Sequence, residues 1–199
     1  MQALLVSTGV VALAEIGDKT QLLALLLAAR FRRPVPIVLG ILLATLANHA
    51  AAGLVGVGLA RWLGPDTLRW GLGLGFLAMA AWILVPDRLD ERDTPRTHGG
   101  VFVVTLVAFF LAEMGDKTQI ATIALAARFE ALAAVVIGTT LGMLLANVPA
   151  VLLGDRLAHR LPVRLVRGLA ALLFAALGVA TLLGLGDRWL GGVTAARAA

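Results

Sequence analysis

Apolar residues gather along this chain into six long stretches divided by short polar ones, at about positions 4–29, 35–59, 68–85, 101–127, 131–153 and 165–185. Each is close to the ~20 residues that an α-helix needs to cross the hydrocarbon core of a bilayer. The pattern predicts an all-α polytopic membrane protein with six transmembrane helices, the third being the shortest. Trp62, Trp70, Trp82 and Trp189 fall at or near the ends of stretches, where indole rings favour the membrane–water interface. The first stretch has no basic segment before it and runs on into acidic residues, so it reads as a span and not as a cleavable signal.

Composition strengthens this reading. Of the 199 residues, 60% are hydrophobic and 15% charged, and the mean hydropathy is +0.93. Soluble domains carry roughly 45–50% apolar and ~25% charged residues, so a soluble globular protein is excluded. Cysteine is absent, which removes disulfides, thiolate nucleophiles and cysteine-ligated metal centres. The net charge of +5 does not point to nucleic acid, because the excess lies in the short connections. One side would receive ten arginines, in groups at 30–33, 88–96 and 156–167, and the other five, Arg61, Arg69, Arg128, Arg188 and Arg197. The positive-inside rule puts the richer side in the cytoplasm and both termini outside. His159 and the arginines from Arg156 to Arg167 would face anionic headgroups.

The chain also repeats itself. A-E-I-G-D-K-T-Q at 14–21 returns as A-E-M-G-D-K-T-Q at 112–119, an offset of 98 that also aligns A-A-R-F at 28–31 with 126–129, Gly40 with Gly138 and Phe76 with Phe174. Leu46-Ala47-Asn48 matches Leu145-Ala146-Asn147 one residue out of step. Residues 1–86 then form a first three-helix repeat, 87–99 a cytoplasmic linker and 100–199 a second repeat. Three spans is an odd number, so the halves must enter the membrane from opposite sides, as in transporters whose substrate site lies near the midplane between inverted repeats. Asp87, Asp90, Glu91 and Asp93 in the linker, balanced by neighbouring arginines, read as a solvated connector. Gly71, Gly73 and Gly75 lie within a span, with Gly71 and Gly75 one small-xxx-small step apart, and read as a close helix contact.

The candidate chemistry lies in the repeated motif. Glu15, Asp18 and Lys19, and again Glu113, Asp116 and Lys117, stand near the centres of spans one and four; the two lysines are the only ones in the chain. At about 2.5–3.5 kcal/mol per charged residue at a helix centre, six such groups cost on the order of 15–20 kcal/mol before pairing. They persist only if they face one another, water or an ion. On a continuous helix the glutamate and aspartate of each motif share a face, with the lysine to the other side and Gln21 turned towards the rim. An intrahelical glutamate–lysine bridge is the simplest structural role for each motif. Gly17 and Gly115 allow close approach of a neighbour or local unwinding, and unwinding would aim the carbonyls of a half-helix at the site. Four carboxylates against two ammonium groups leave −2, which one divalent cation or two protons would neutralise. Oxygen donors without thiolate or a histidine pair suit Ca²⁺ or Mn²⁺ better than Zn²⁺ or copper. Asn48, Asn147, Thr20, Thr118, Gln21 and Gln119 offer neutral oxygens, although the asparagines serve equally well as interhelical hydrogen bonders. Metal and protons would compete for one site. His49 could relay protons, but its counterpart is Val148, and packing or a local hydrogen bond is the plainer role.

The doubled E-x-G-D-K-T at 15–20 and 113–118 resembles the E-x-G-D-[KR]-[TS] signature of the GDT/Mnx-type Ca²⁺/Mn²⁺:H⁺ exchangers. The resemblance covers the whole chain: six spans, inverted halves, one motif opening each half, and a central linker. It implies cation-site roles for Glu15, Asp18, Glu113 and Asp116, with Lys19, Thr20, Lys117 and Thr118 supporting them. It also implies Mn²⁺ or Ca²⁺ as substrate, H⁺ as counter-ion, no resident cofactor, and manganese export across a bacterial plasma membrane. The expected partners are the lipid bilayer and the divalent cation, with no nucleic acid; a homo-oligomer stays open. Two other readings remain: an exporter of small cationic solutes such as basic amino acids, and an intramembrane enzyme acting on a lipid phosphate. The latter lacks a mid-membrane arginine or Ser/His pair to hold a phosphoryl group.

Overall fold

A computed structural model describes residues 1–86, 99–153 and 162–184. The acidic linker, Arg156, His159, Arg188, Trp189 and Arg197 therefore lie outside the described residues. Within them the chain is all-α, with eight helices: α1 (Gln2–Glu15), α2 (Lys19–Phe31), α3 (Pro34–Trp62), α4 (Pro65–Ile83), α5 (Val101–Glu113), α6 (Lys117–Phe129), α7 (Leu132–Leu153) and α8 (Val163–Leu182). Three of these, α3, α7 and α8, are long and apolar enough to cross a membrane, while α1 and α5 are apolar but shorter.

The expected first and fourth spans are each two helices. Ile16 and Met114 leave the helical conformation for an extended one, and Gly17 and Gly115 follow with φ of 80° and 73°. A side chain is strained in that left-handed region, so glycine is the residue that permits the break. Asp18 and Asp116 then cap the next helix. The second half of each broken span also ends alike: Arg32 and Glu130, 98 positions apart, adopt φ of 52° and 51° and donate their N–H groups to Ala28 and Ala126 carbonyls. Glutamate and aspartate therefore do not occupy one continuous helical face as the spacing predicted. They flank a break, because the energy of a left-handed glycine is small beside that of six charges on an apolar helix.

Packing follows the sequence repeat. The long α7 lies along α1, and α3 lies along α5. A Cβ on Gly40 would come 2.8 Å from Thr105 Cβ and 3.0 Å from the Phe102 carbonyl; one on Gly138 would come 2.9 Å from Ser7 Cβ and 2.6 Å from the Leu4 carbonyl. Those neighbours are themselves 98 positions apart, so the same interhelical contact is made twice with the halves exchanged. The helices α4 and α8 pair with each other. Phe76 and Phe174 meet there with ring centroids 6.2 Å apart. The close glycine contact in α4 is made by Gly73, which faces Gly178 and Leu182, while Gly71 and Gly75 meet open space. The expectation of a tight contact holds, but on the opposite face of the G-L-G-L-G run.

At Gly142 a Cβ would lie 2.7 Å from the Thr8 carbonyl and 2.9 Å from Ala12 N, backbone atoms that cannot rotate aside. Gly142→Ala is expected to lower stability by about 1–3 kcal/mol through overpacking. Gly71→Ala, in open space, should be neutral or stabilising by up to about 1 kcal/mol through helix propensity. Thermal melts of the two purified variants in one detergent check the contrast.

Candidate cation site

Both helix breaks bring charged side chains into the interior. Glu15 and Glu113 are fully buried, and Asp18 and Asp116 nearly so. Glu15 closes α1, Asp18 caps α2 and Asp116 caps α6. One carboxylate oxygen from each of these three comes within 4.8 Å of the other two. The α1 carbonyl end carries partial negative charge that favours a cation, and the amide ends of α2 and α6 favour the capping aspartates.

Neutral groups hold this cluster in place. Thr20 donates its hydroxyl to Glu15 Oε2, and the Asn147 amide lies 3.5 Å from the same oxygen. The Asp18 carboxylate accepts from the Thr20 N–H at 3.4 Å, and the Thr118 hydroxyl is 3.5 Å from Asp116 Oδ2. Gln21 is buried and not at the rim as expected. It accepts the Gly17 N–H at 2.9 Å and donates to the Ala146 carbonyl at 3.1 Å. Gln119 takes the Gly115 N–H in the same way at 2.8 Å and donates to Asn48, which in turn donates to the Phe110 carbonyl at 3.1 Å. Each glutamine thus restores a hydrogen bond that the helix break would forfeit. Two buried acceptors in the cluster have no hydrogen-bond partner among the described residues, Glu15 Oε1 and Asn147 Oδ1.

The lysines differ from the paired intrahelical bridges that the spacing allowed. Lys19 crosses between the halves, its Nζ 3.3 Å from Asp116 Oδ1. Lys117 points to the end of α4, donating to the Val85 carbonyl at 3.1 Å with its ammonium 6.0 Å from the Trp82 ring centroid. Three ionised carboxylates against the Lys19 ammonium leave −2, which one divalent cation would balance.

Glu113 stands outside the three-carboxylate group. The Thr45 hydroxyl donates to its Oε1 at 2.6 Å, and His49 Nε2 lies 3.9 Å from its Oε2, beyond hydrogen-bonding distance. Among the described residues neither imidazole nitrogen of His49 nor Glu113 Oε2 has a hydrogen bond, so the plain packing role expected for His49 becomes a position facing a buried carboxylate. Thr45 was missed in the sequence, although its spacing of four from His49 puts the two on one face of α3. Arg167 was also misjudged. It faces inward from α8 and donates to the Gly17 carbonyl at 2.7 Å.

Two broken helices that present buried carboxylates to a shared centre define a helical ion transporter. The profile of the Divalent cation/proton antiporter GDT1 family matches residues 3–91 and 101–188, and the chain belongs to that family. It is an integral membrane transporter and not an enzyme, so the lipid-phosphate reading falls. The chain is 56% identical over 91% of its length to the "Putative manganese exporter" of Vibrio cholerae, covering 90% of that protein. It is 30% identical over 82% to "GDT1-like protein sll0615" of Synechocystis, covering 88% of it. With "GDT1-like protein 3" of Oryza sativa it shares 29% identity over 90% of its length and 73% of the relative. No solved structure matches the chain.

Gln21→Leu is expected to leave the Gly17 N–H at the break without its partner. An unsatisfied group costs about 1–3 kcal/mol, so the variant should melt well below the parent without metal present. A melting temperature equal to the parent's would show that Gln21 does not hold the break.

Proposed function

We propose that this antiporter exports Mn²⁺ from the cytoplasm in exchange for protons, with Ca²⁺ as a second substrate of the same oxygen site. The observation that carries the proposal is the convergence of Glu15, Asp18 and Asp116 from the two halves beside the unpaired oxygens of Glu15 and Asn147. Cation and protons alternate there: protons on the carboxylates neutralise the site when the metal has left. Glu113, aimed by Thr45, is the fourth carboxylate of this exchange. Lys19 offsets part of the charge, which makes a site that a divalent ion can leave as well as enter. Thr20, Thr118, Gln21 and Gln119 position the carboxylates and the breaks, while Lys117 anchors the second break to α4. The identity to the manganese-named Vibrio protein supports Mn²⁺ as cargo. A cavity that admits basic amino acids would need space where Lys19 and Asp116 now touch.

In this reading α1 with α2, and α5 with α6, each make one span, so six spans form two inverted repeats at 1–86 and 100–199 about a cytoplasmic linker. The repeated Gly40 and Gly138 contacts and the two-part family match support the duplication. The arginine bias supports an orientation with both termini outside a bacterial plasma membrane.

Proteoliposomes with an imposed pH gradient test the proposal. The parent should move Mn²⁺ against protons and Ca²⁺ more weakly. Glu113→Gln and Asp18→Asn should each lose at least about 90% of the exchange, on the scale of ~1.4 kcal/mol per tenfold. Because protons and metal share carboxylates, acidifying the metal-loading side should slow uptake. Parent-like rates in both variants would overturn the assignment.

A further inference from the structure

The two breaks are locally alike but covered differently. Gly17 and Gly115 share a positive φ and the same glutamine bond to their N–H groups. At Gly17, however, the start of α8 closes in: Arg167 holds the carbonyl at 2.7 Å, and a Cβ on Gly17 would run into the Val163 side chain. The residue 98 positions before Arg167 is Arg69 on α4, half exposed, with its Nη2 3.5 Å from Asp66. Gly115 is exposed, and among the described residues nothing would approach a Cβ there within 4 Å.

This difference extends through the fold. The α4–α8 pair packs on α1 and α6, whereas its contact with the repeat-related surface of α5 and α2 is at most marginal. Phe76, Met79, Ile83 and Phe174 share one buried cluster with residues of α1 and α6, while the cluster joining α2 and α5 contains no residue of α4 or α8. Leu13 packs against the first cluster, but its counterpart Leu111 is 61% exposed. Exchange of the halves maps the pair onto itself and swaps the two surfaces. A duplicated chain therefore has a second position for the pair, on α5 and α2, built from equivalent residues.

Resting on the inverted halves proposed above, we propose that the α4–α8 pair moves as a unit between these two positions, and that Arg167 and Arg69 are alternate latches. Arg167 on the Gly17 carbonyl fixes the arrangement seen here, and Arg69 on the Gly115 carbonyl fixes the exchanged one. The Gly73–Gly178 contact and the Phe76–Phe174 pair hold the unit together in both. Both arginines are positioning residues: neither belongs to the carboxylate cluster, and each decides which break is covered.

Spin labels read the motion directly, since the chain has no native cysteine. Leu5 on α1 and Val103 on α5 are repeat-related and exposed, as are Leu74 on α4 and Leu172 on α8. Pulsed electron–electron distances are measured in lipid nanodiscs on the full chain with Leu5→Cys/Leu172→Cys and, separately, Leu74→Cys/Val103→Cys. Arg167→Ala should transfer population so that each pair takes up the distance that dominated the other pair in the parent, by about tenfold in the ratio of states. Adding Arg69→Ala should reverse the transfer. If Arg167→Ala does not fold, Arg167→Gln makes the same test. Unchanged distributions, a change in one pair without the other, or no reversal by Arg69→Ala would overturn the proposal. Absence of Mn²⁺ exchange by the parent chain, while the two distances still trade places in the variants, would count against the cation site and leave the latches standing.

Discussion

A charged group inside a membrane protein has to find compensation within the protein, because lipid supplies none, and that constraint shapes this molecule around two short interruptions. At each one the chain gives up part of a helix to place a glutamate at the end of one segment and an aspartate at the start of the next. The lost backbone hydrogen bonds are recovered by Gln21 and Gln119, which bind the glycine N–H groups. The amide ends of α2 and α6 add partial positive charge beside the two aspartates, while the carbonyl end of α1 beside Glu15 adds negative charge that a cation offsets. Among the described residues, Glu15 Oε1, Asn147 Oδ1, Glu113 Oε2 and both nitrogens of His49 are buried without a hydrogen bond where a cation or a proton is expected, and the Ser7 and Thr140 hydroxyls are the other two such groups.

The repeated motif supplies carboxylates from two parts of the chain, but its two copies are not equally placed. Lys19 reaches across to Asp116, whereas Lys117 is drawn to the Val85 carbonyl and the Trp82 ring. Glu15 sits among aspartates, whereas its counterpart Glu113 sits between Thr45 and His49. Some of this inequality is written in the sequence, since Val148 and Ala180 stand where His49 and Trp82 stand in the first half. Arg69 and Arg167 are the same residue in the same register, yet Arg167 meets the Gly17 carbonyl and Arg69 lies beside Asp66.

The apolar stretches marked the helices to within a few residues, since burial and lipid contact both select apolar side chains along the whole length of a span. The doubled motif marked the buried charge for the opposite reason, its cost in such surroundings. Local patterning did not reveal where each side chain turns. Helical spacing put Gln21 at the rim, but the break rotates everything after Gly17, and Gln21 closes the gap instead. The G-L-G-L-G run signalled a close contact, and only the neighbouring helix decides that Gly73 makes it. Arg167 looked like a headgroup contact because arginines surround it in sequence; its reach to a carbonyl depends on how α8 meets α1, which no local pattern encodes. Thr45 gave no signal by itself and becomes legible only once Glu113 is known to face α3.

The central claim is that one divalent ion rests where the two halves bring Glu15, Asp18 and Asp116 together. Anomalous scattering recorded at the manganese absorption edge, from crystals of the protein grown with Mn²⁺, tests it most directly. The account predicts a single strong anomalous peak enclosed by those three carboxylates and the Asn147 side-chain oxygen. A peak elsewhere in the molecule, or none between the halves in protein that transports manganese, would contradict it.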